Sequence, residues 1–418
     1  MHVIDQPKPE TVAAGHGVAS DTAFGAVSPP LYLSSTFVFE GYEQPGRYDY
    51  GRAGNPNRDM LGEALAALEG GAGAVVTSSG MAAIDLVLGQ LEGGAHVVAP
   101  HDCYGGTLRL LKARAAKKQL RLTLADFADH AALDAVLTDT PALVLIETPS
   151  NPLMRIVDIA DVSARARTAG ALVAADNTFL SPALQRPIAL GADYVIHSTT
   201  KYLNGHSDVI GGVVVAADPA RAEALRAWAN VTGVTGSPFD AWLTSRGLRT
   251  LFPRIERQQQ SAGAIATFLA EQPQVAAVHY PGLATHPGHA IALRQQGGFG
   301  AMLSFELEGG VAAIKSFTES VQLFTLAESL GGIESLVAHP ATMTHADMGM
   351  EARRIAGISD QLLRLSIGLE HVDDLLADLE RALEASSAAP APLCRQEELA
   401  RRENRLRAQH TAPRDSAR

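Results

Sequence analysis

Lys201 invites a chemical explanation before any other residue. Of the 34 Lys and Arg in this 418-residue chain only six are lysines: Lys8, Lys112, Lys117, Lys118, Lys201 and Lys315. A guanidinium serves wherever a permanent cation is enough. An amine is needed where a proton must be lost and a carbonyl carbon attacked. Lys201 lies in HSTTKYLNGHSD, just beyond an apolar run that ends at Ser198. Asp176, twenty-five residues earlier, closes another run, ALVAAD. An Asp at one strand end and a Lys beyond a neighbouring one face the same crevice. The pair suits pyridoxal phosphate. The lysine bonds covalently to the cofactor's aldehyde carbon, and the carboxylate keeps the ring nitrogen protonated, which makes the ring an electron sink. Ser198 and Thr200 can donate hydrogen bonds to a phosphate. The turn Ser78-Ser79-Gly80-Met81 can offer the same phosphate a helix N-terminus. Spacing alone leaves open a plainer arrangement, with Asp176 capping a turn and Lys201 on a surface loop.

The elements that must position these residues are also legible. Short apolar runs at 74–79, 95–100, 121–126, 142–147, 171–176, 193–198 and 209–216 alternate with amphipathic segments such as AIDLVLGQL and IADVSARARTAG. Such alternation predicts a parallel sheet covered by helices on both faces. Polar residues close several runs: Ser78-Ser79, Glu147, Asp176 and His197-Ser198. RDMLGEALAALEGG predicts a helix with Leu61, Leu65 and Leu68 on one face. After a long helix beginning near 250–260, the segments AMLSFELEGG, 311–319, LLRLSIGLE and HVDDLLADLERALEAS read as a smaller α+β unit, the last with an apolar stripe at Val372, Leu375, Leu376, Leu379 and Leu383. The expected architecture is α/β: a large, mostly parallel-sheet domain followed by a smaller C-terminal α+β domain. The expected division is an N-terminal arm at 1–60, a cofactor domain at 61–256, a C-terminal domain at 257–388 and a mobile tail at 389–418. The tail is basic, with seven Arg against four acids from Ala391 on, and a loose helix is expected near 395–408. It reads as a solvated end, although an acidic partner is an alternative.

Composition narrows the function classes. A net charge of −11 suits neither a nucleic-acid coat nor an anionic membrane surface. The longest apolar run near the middle of the chain, Val209 to Ala217, is too short to span a bilayer, and Met1 to Glu10 shows no secretory signal. Two cysteines, Cys103 and Cys394, make neither a disulfide scaffold nor a four-thiolate zinc site, so a cytoplasmic location is expected. Cys103 reads as a packed small residue, since no cationic partner adjoins it. No G-x-G-x-x-G follows a strand into a helix, and no P-loop is present. The H-P-G-H of 286–289 lacks metal-ligand spacing and reads as a surface loop. No metal is expected.

SSGMAAI, HDCYGGTLRL, ETPSNPL, DNTFLSPALQRPIALGADYVIHSTTKYLNGHSD, GVTGSPFD, SRGLRTL, GFGAMLSFEL, LFTLAESLGGIESL and RLSIGLE resemble the Cys/Met-metabolism family of pyridoxal-phosphate enzymes over about residues 15 to 385. The pattern is nearest to the bacterial members that join a homoserine ester to cysteine. Members that cleave cystathionine, and homoserine-ester sulfhydrylases, are near relatives. The resemblance implies fold type I, the aspartate-aminotransferase-like fold, and pyridoxal phosphate as cofactor. It implies that Lys201 carries the cofactor and shuttles protons, that Asp176 pairs with the ring nitrogen, and that Tyr104 stacks on the ring and serves as a base. It places Ser79, Gly80, Met81, Ser198 and Thr200 at the phosphate, with Tyr50 and Arg52 reaching it from a neighbouring subunit. Arg364 is implied for the substrate α-carboxylate, Asn151 and Ser329 for orienting cofactor and substrate, and Arg109, Glu328 and Asn230 for the substrate's distal end. A homotetramer with shared active sites follows from the same likeness. The implied reaction is γ-replacement, O-succinyl-homoserine and cysteine giving cystathionine and succinate in methionine biosynthesis. The alternative is γ-elimination of cystathionine to cysteine, 2-oxobutyrate and ammonia. A non-catalytic scaffold would be expected to lose Lys201, Asp176 or Arg364, and all three are present. One position departs from the pattern. The members that use the succinyl ester often carry a second Arg after the phosphate-binding one, and here Ala53 gives GRAGNP, as in many members that cleave cystathionine.

Overall fold

The computed structural model describes residues 7–387. Seven strands build the larger sheet: β1 (Gly73–Thr77), β2 (Ala95–Pro100), β3 (Leu120–Ala125), β4 (Leu143–Glu147), β5 (Leu172–Asp176), β6 (Tyr194–Ser198) and β7 (Gly212–Ala216). Their order is β1-β7-β6-β5-β4-β2-β3. Helices cover both faces, so the strands are nearly continuous apolar runs. Leu145, Ala174, Ile196 and Val214 pack on one face against the helices Gly80–Leu88, Gly105–Ala116 and Pro219–Thr232. Alternate residues Val144, Ile146, Val173 and Ala175 pack on the other face against His130–Leu137 and Ile159–Thr168. β7 departs from the parallel expectation and is antiparallel to both β1 and β6. Only the turns of 199–211 join β6 to β7, and no crossover helix is present to bring the chain back for a parallel pairing. The parallel strands β4, β5 and β6 end at one edge with Glu147, Asp176 and Ser198.

The second sheet contains β8 (Val275–His279), β9 (Met302–Leu307), β10 (Thr325–Leu326), β11 (Leu336–Ala338) and β12 (Leu362–Ser366), in the order β10-β11-β12-β9-β8. It is antiparallel except between β10 and β11. The helix Leu251–Ala270 runs without interruption through residue 256, the expected boundary between the two units. One apolar core includes Val195 and Val213 of the first sheet and Phe305 and Leu363 of the second. In the helix Val372–Ser387, Leu375, Leu379 and Leu383 are buried, as their spacing predicts. Asp378 is buried among them, which the spacing does not predict. Its carboxylate accepts the N–H groups of Gln322, Leu323 and Phe324 at 2.8–3.3 Å, and these donors, with the Arg381 guanidinium, satisfy its charge.

The segment 16–55 is largely irregular and leaves Phe24, Val38 and Tyr42 about nine-tenths exposed. The H-P-G-H segment is not the surface loop its composition predicts. His286 is buried, its Nδ1 accepts the Gly288 N–H at 3.0 Å, and burial pushes its pKa down to about 4. Gly288 packs so closely on Ile156 that a side chain there would meet it at 2.6 Å, which folds the turn inward. No group of three or more potential metal ligands occurs among the described residues. The expected tail, its helix and Cys394 lie outside them.

Candidate active site

The shared edge of β4, β5 and β6 opens into a cavity of about 280 Å³, bounded on its far side by Arg364 of β12 and by the loop residues Glu328, Ser329, Leu330 and Thr344. It brings together Lys201, Tyr104, Asp176, Ser79, Gly80, Met81, Asn151, Ser198, Thr200, Glu328, Ser329 and Arg364. Lys201 follows β6, and its Nζ donates to Ser329 Oγ at 2.8 Å. Burial, and then the Arg364 guanidinium, push its pKa from 10.5 down to about 8, with Glu328 opposing. The amine therefore sheds its proton far more readily than a surface lysine.

Asp176 ends β5. Thr178 donates to its Oδ1 twice, through N–H at 3.0 Å and Oγ at 2.5 Å, and the same Oγ accepts the Ser198 N–H at 2.9 Å. Burial raises the Asp176 carboxyl, while the Thr178 bonds and His197 pull it back. Ser79 caps the helix Gly80–Leu88 by accepting the Ala82 N–H at 3.1 Å. Gly80 lies so near Ser198 that a Cβ would sit 2.8 Å from the serine Cβ, so glycine is required where the two backbones converge. The free N–H groups of this helix start, with the Ser198 and Thr200 hydroxyls, are suited to cradle an anion.

On the second sheet, Arg364 of β12 is buried. Its Nη atoms donate to Asn151 Oδ1 at 2.9 Å and Ser329 O at 2.8 Å, while Nε has no partner. Arg364 lines the cavity, and a buried guanidinium short of one partner is suited to an anionic ligand. Ser329 has φ +86°, in the left-handed region a serine rarely adopts. That conformation turns Ser329 Oγ to Lys201 and Ser329 O to Arg364.

Four expected site residues do not line the cavity of their own chain. Arg52 stacks over the Tyr50 ring, 5.6 Å from its centroid, and donates to Asn230 Oδ1 at 3.1 Å, forming an exposed cluster beside the irregular segment. Arg109 pairs with Asp347 at 2.9 Å at the protein surface. Cys103 is buried, and burial pushes its thiol up, so it is no nucleophile. Residues absent from the expected site also enter the wall: Glu147, Thr178, Phe179 and Thr344. Asp-x-Thr after a strand was the available signal for Thr178, because a hydroxyl two residues beyond an Asp readily bonds it. Glu147 had been visible only as a polar strand end.

A family model, Cys/Met metabolism PLP-dependent enzyme, matches residues 10–384. The chain belongs to this family. Its cofactor is pyridoxal phosphate, and the cavity has the groups that fit it: an amine, an acid and an anion cradle. The cystathionine gamma-synthase of Escherichia coli K12 is 54% identical over 381 residues, 91% of this chain and 99% of the relative. The crystal structure of cystathionine gamma synthase from Xanthomonas oryzae pv. oryzae in complex with cystathionine matches with a TM-score of 0.91 at 58% identity, covering 91% of this chain and 99% of that one. The crystal structure of cystathionine gamma-lyase from Lactobacillus plantarum complexed with L-serine matches with a TM-score of 0.88 at 42% identity, covering 91% of this chain and 100% of that one.

Proposed function

We propose that this protein is a γ-replacement enzyme that exchanges the acyloxy group of O-succinyl-homoserine for the thiolate of cysteine, giving cystathionine and succinate on the way to methionine. The observation that carries the reading is the convergence, in one cavity, of a proton-shedding amine at Lys201 with the Asp176 carboxyl and the buried guanidinium of Arg364. The similarity to the two synthases supports the choice of reaction.

Pyridoxal phosphate, when bound, supplies an electron sink beside the substrate amine. The cradle of Ser79, Gly80, Met81, Ser198 and Thr200 holds its phosphate, and Asp176 holds a proton at its ring nitrogen. Arg364 takes the substrate α-carboxylate, with Asn151 and Ser329 fixing the guanidinium. Lys201, free to act as a base near neutral pH, removes and returns protons at Cα and Cβ, which allows the acyloxy group to leave Cγ and the thiolate to bond there. Tyr104 packs against the cofactor ring and serves as a base on the incoming amine. Arg109 and Glu328 act at the distal end of the substrate.

Tyr50, Arg52 and Asn230, already hydrogen-bonded or stacked as one cluster, act in the site of a neighbouring subunit of a homotetramer. The location is cytoplasmic. Among the described residues no helix is long and apolar enough to cross a membrane. A second reading, γ-elimination, is favoured by Ala53 and by the likeness to the lyase. Product analysis by mass spectrometry after mixing enzyme, O-succinyl-homoserine and cysteine decides between them. Cystathionine as main product supports γ-replacement. Formation of 2-oxobutyrate alone supports elimination.

A further inference from the structure

Glu147 takes no part in the chemistry above, yet its carboxylate is built into the cavity wall. It ends β4 and stands in register with Asp176 of β5, so both acids project from adjacent strands to the same side. Backbone donors satisfy it. Oε2 accepts the Tyr104 N–H at 2.7 Å, and Oε1 accepts the Asn151 N–H at 3.1 Å. Tyr104 precedes the helix Gly105–Ala116 and gives it no side-chain cap, so the Glu147 charge sits at that helix's N-terminus. Asn151 in turn holds Arg364. One carboxylate thus fixes the backbone of the ring-stacking residue and of the residue that aims the carboxylate-binding guanidinium.

We propose that Glu147 is a positioning residue for this reaction, which sets Tyr104 and Asn151 in place and joins Asp176 in an acid pair that favours a cofactor whose ring nitrogen carries a proton. The inference rests on the pyridoxal-phosphate reading. The groups facing Glu147 are Asp176 from β5, Asp102, Cys103 and Tyr104 from the segment after β2, and Lys201 and Arg364 across the cavity. Asp102 is already engaged by Arg155 at 3.0 Å and Ser150 at 2.8 Å. Burial first, and Asp176 next, raise the Glu147 carboxyl well above the usual range. Two acids so placed resist ionising together until a cation joins them. A protonated ring nitrogen beside Asp176 is that cation, and each acid then stabilises its proton.

The test uses Glu147→Gln and Glu147→Asp in the full chain, loaded with pyridoxal phosphate. Three quantities are read: the pH midpoint of the visible absorbance, the Kd for pyridoxal phosphate after stripping, and KM against kcat for the ester. Glu147→Gln removes the charge, so the protonated form loses support and the midpoint falls, by about half a pH unit or more. Its Kd rises about tenfold, because an amide donor now faces a backbone N–H. Glu147→Asp keeps the charge but falls short of the backbone, so it retains the midpoint while KM rises. If Glu147→Gln does not fold, Glu147→Asp decides alone, and unchanged midpoint with unchanged KM overturns the proposal. Wild-type midpoint and Kd in Glu147→Gln, or equal midpoint shifts in both variants, overturn it as well. A wild-type protein that gains no visible absorbance with pyridoxal phosphate refutes the underlying reading instead.

Discussion

An amine that must bond a carbonyl carbon near neutral pH has to be held where its own charge is uncomfortable. Lys201 meets this condition through burial and the Arg364 guanidinium, which together bring its pKa to about 8. The cost falls on the cofactor-free protein. Between pH 8 and 10.5 the unfolded chain binds the Lys201 proton and the folded chain does not, so this group adds stability as pH rises through that window. Comparing cofactor-free wild type with Lys201→Met, the melting-temperature gap is expected to favour the variant at pH 7 and to close by pH 10. Lys201→Ala is expected to abolish both visible absorbance with pyridoxal phosphate and turnover. Arg364→Lys keeps the charge but loses the planar fork, and steady-state kinetics should show KM for the ester raised about 10- to 100-fold. Lys201 and Asp176 are legible by type, a scarce lysine and an acid closing an apolar run, whereas Arg364 is legible only through the family resemblance of RLSIG. Thr344 and Glu147 are not. Their work is done through hydrogen bonds and packing that depend on where the chain folds back, and sequence spacing carries none of that.

At the scale of elements, the site depends on where strands stop and helices start. Gly80 is the tightest of these junctions. Gly80→Ala is expected to push the start of its helix away from β6 and weaken pyridoxal-phosphate binding about tenfold or more, measured by titrating the stripped protein. The melting temperature should change less than binding does, because the helix remains packed on the sheet through Ile84 and Val87. Asp378 makes a contrasting case, far from the chemistry. Removing its carboxylate by Asp378→Ala leaves three backbone N–H groups without their acceptor and is expected to cost about 2–4 kcal/mol in urea unfolding, with kcat unchanged. The strands were readable because continuous apolar runs need two covered faces. The reversal of β7 was not readable, since periodicity gives no direction. The burial of His286 was not readable either, since its packing is set by a glycine against Ile156, a contact far apart in sequence.

At the scale of the whole molecule, a single chain is short of the site its sequence implies. Tyr50, Arg52 and Asn230 cluster together outside their own cavity, beside a segment that exposes Phe24, Val38 and Tyr42. If they serve a neighbour, Arg52→Ala and Lys201→Ala subunits are each inactive alone. Mixed after reversible dissociation, they are expected to regain activity, because some sites then draw an intact arm from one chain and an intact lysine from the other. Absence of rescue in demonstrably mixed assemblies would place the arm's role within its own chain.

The hydrogen bonds that cross between the two sheets have a mechanical consequence. Lys201 to Ser329, Arg364 to Asn151 and Ser304 to Pro152 O stitch one half of the molecule to the other, and the first two run through the reactive groups. Part of the seam is thus fastened by the same side chains that the substrate needs. A ligand that joins the Arg364 guanidinium without displacing these bonds tightens the clasp, whereas chemistry that calls Lys201 away from Ser329 loosens it. Breathing of the molecule and turnover are therefore geared together, and amide exchange along β12 should slow when substrate carboxylate is bound.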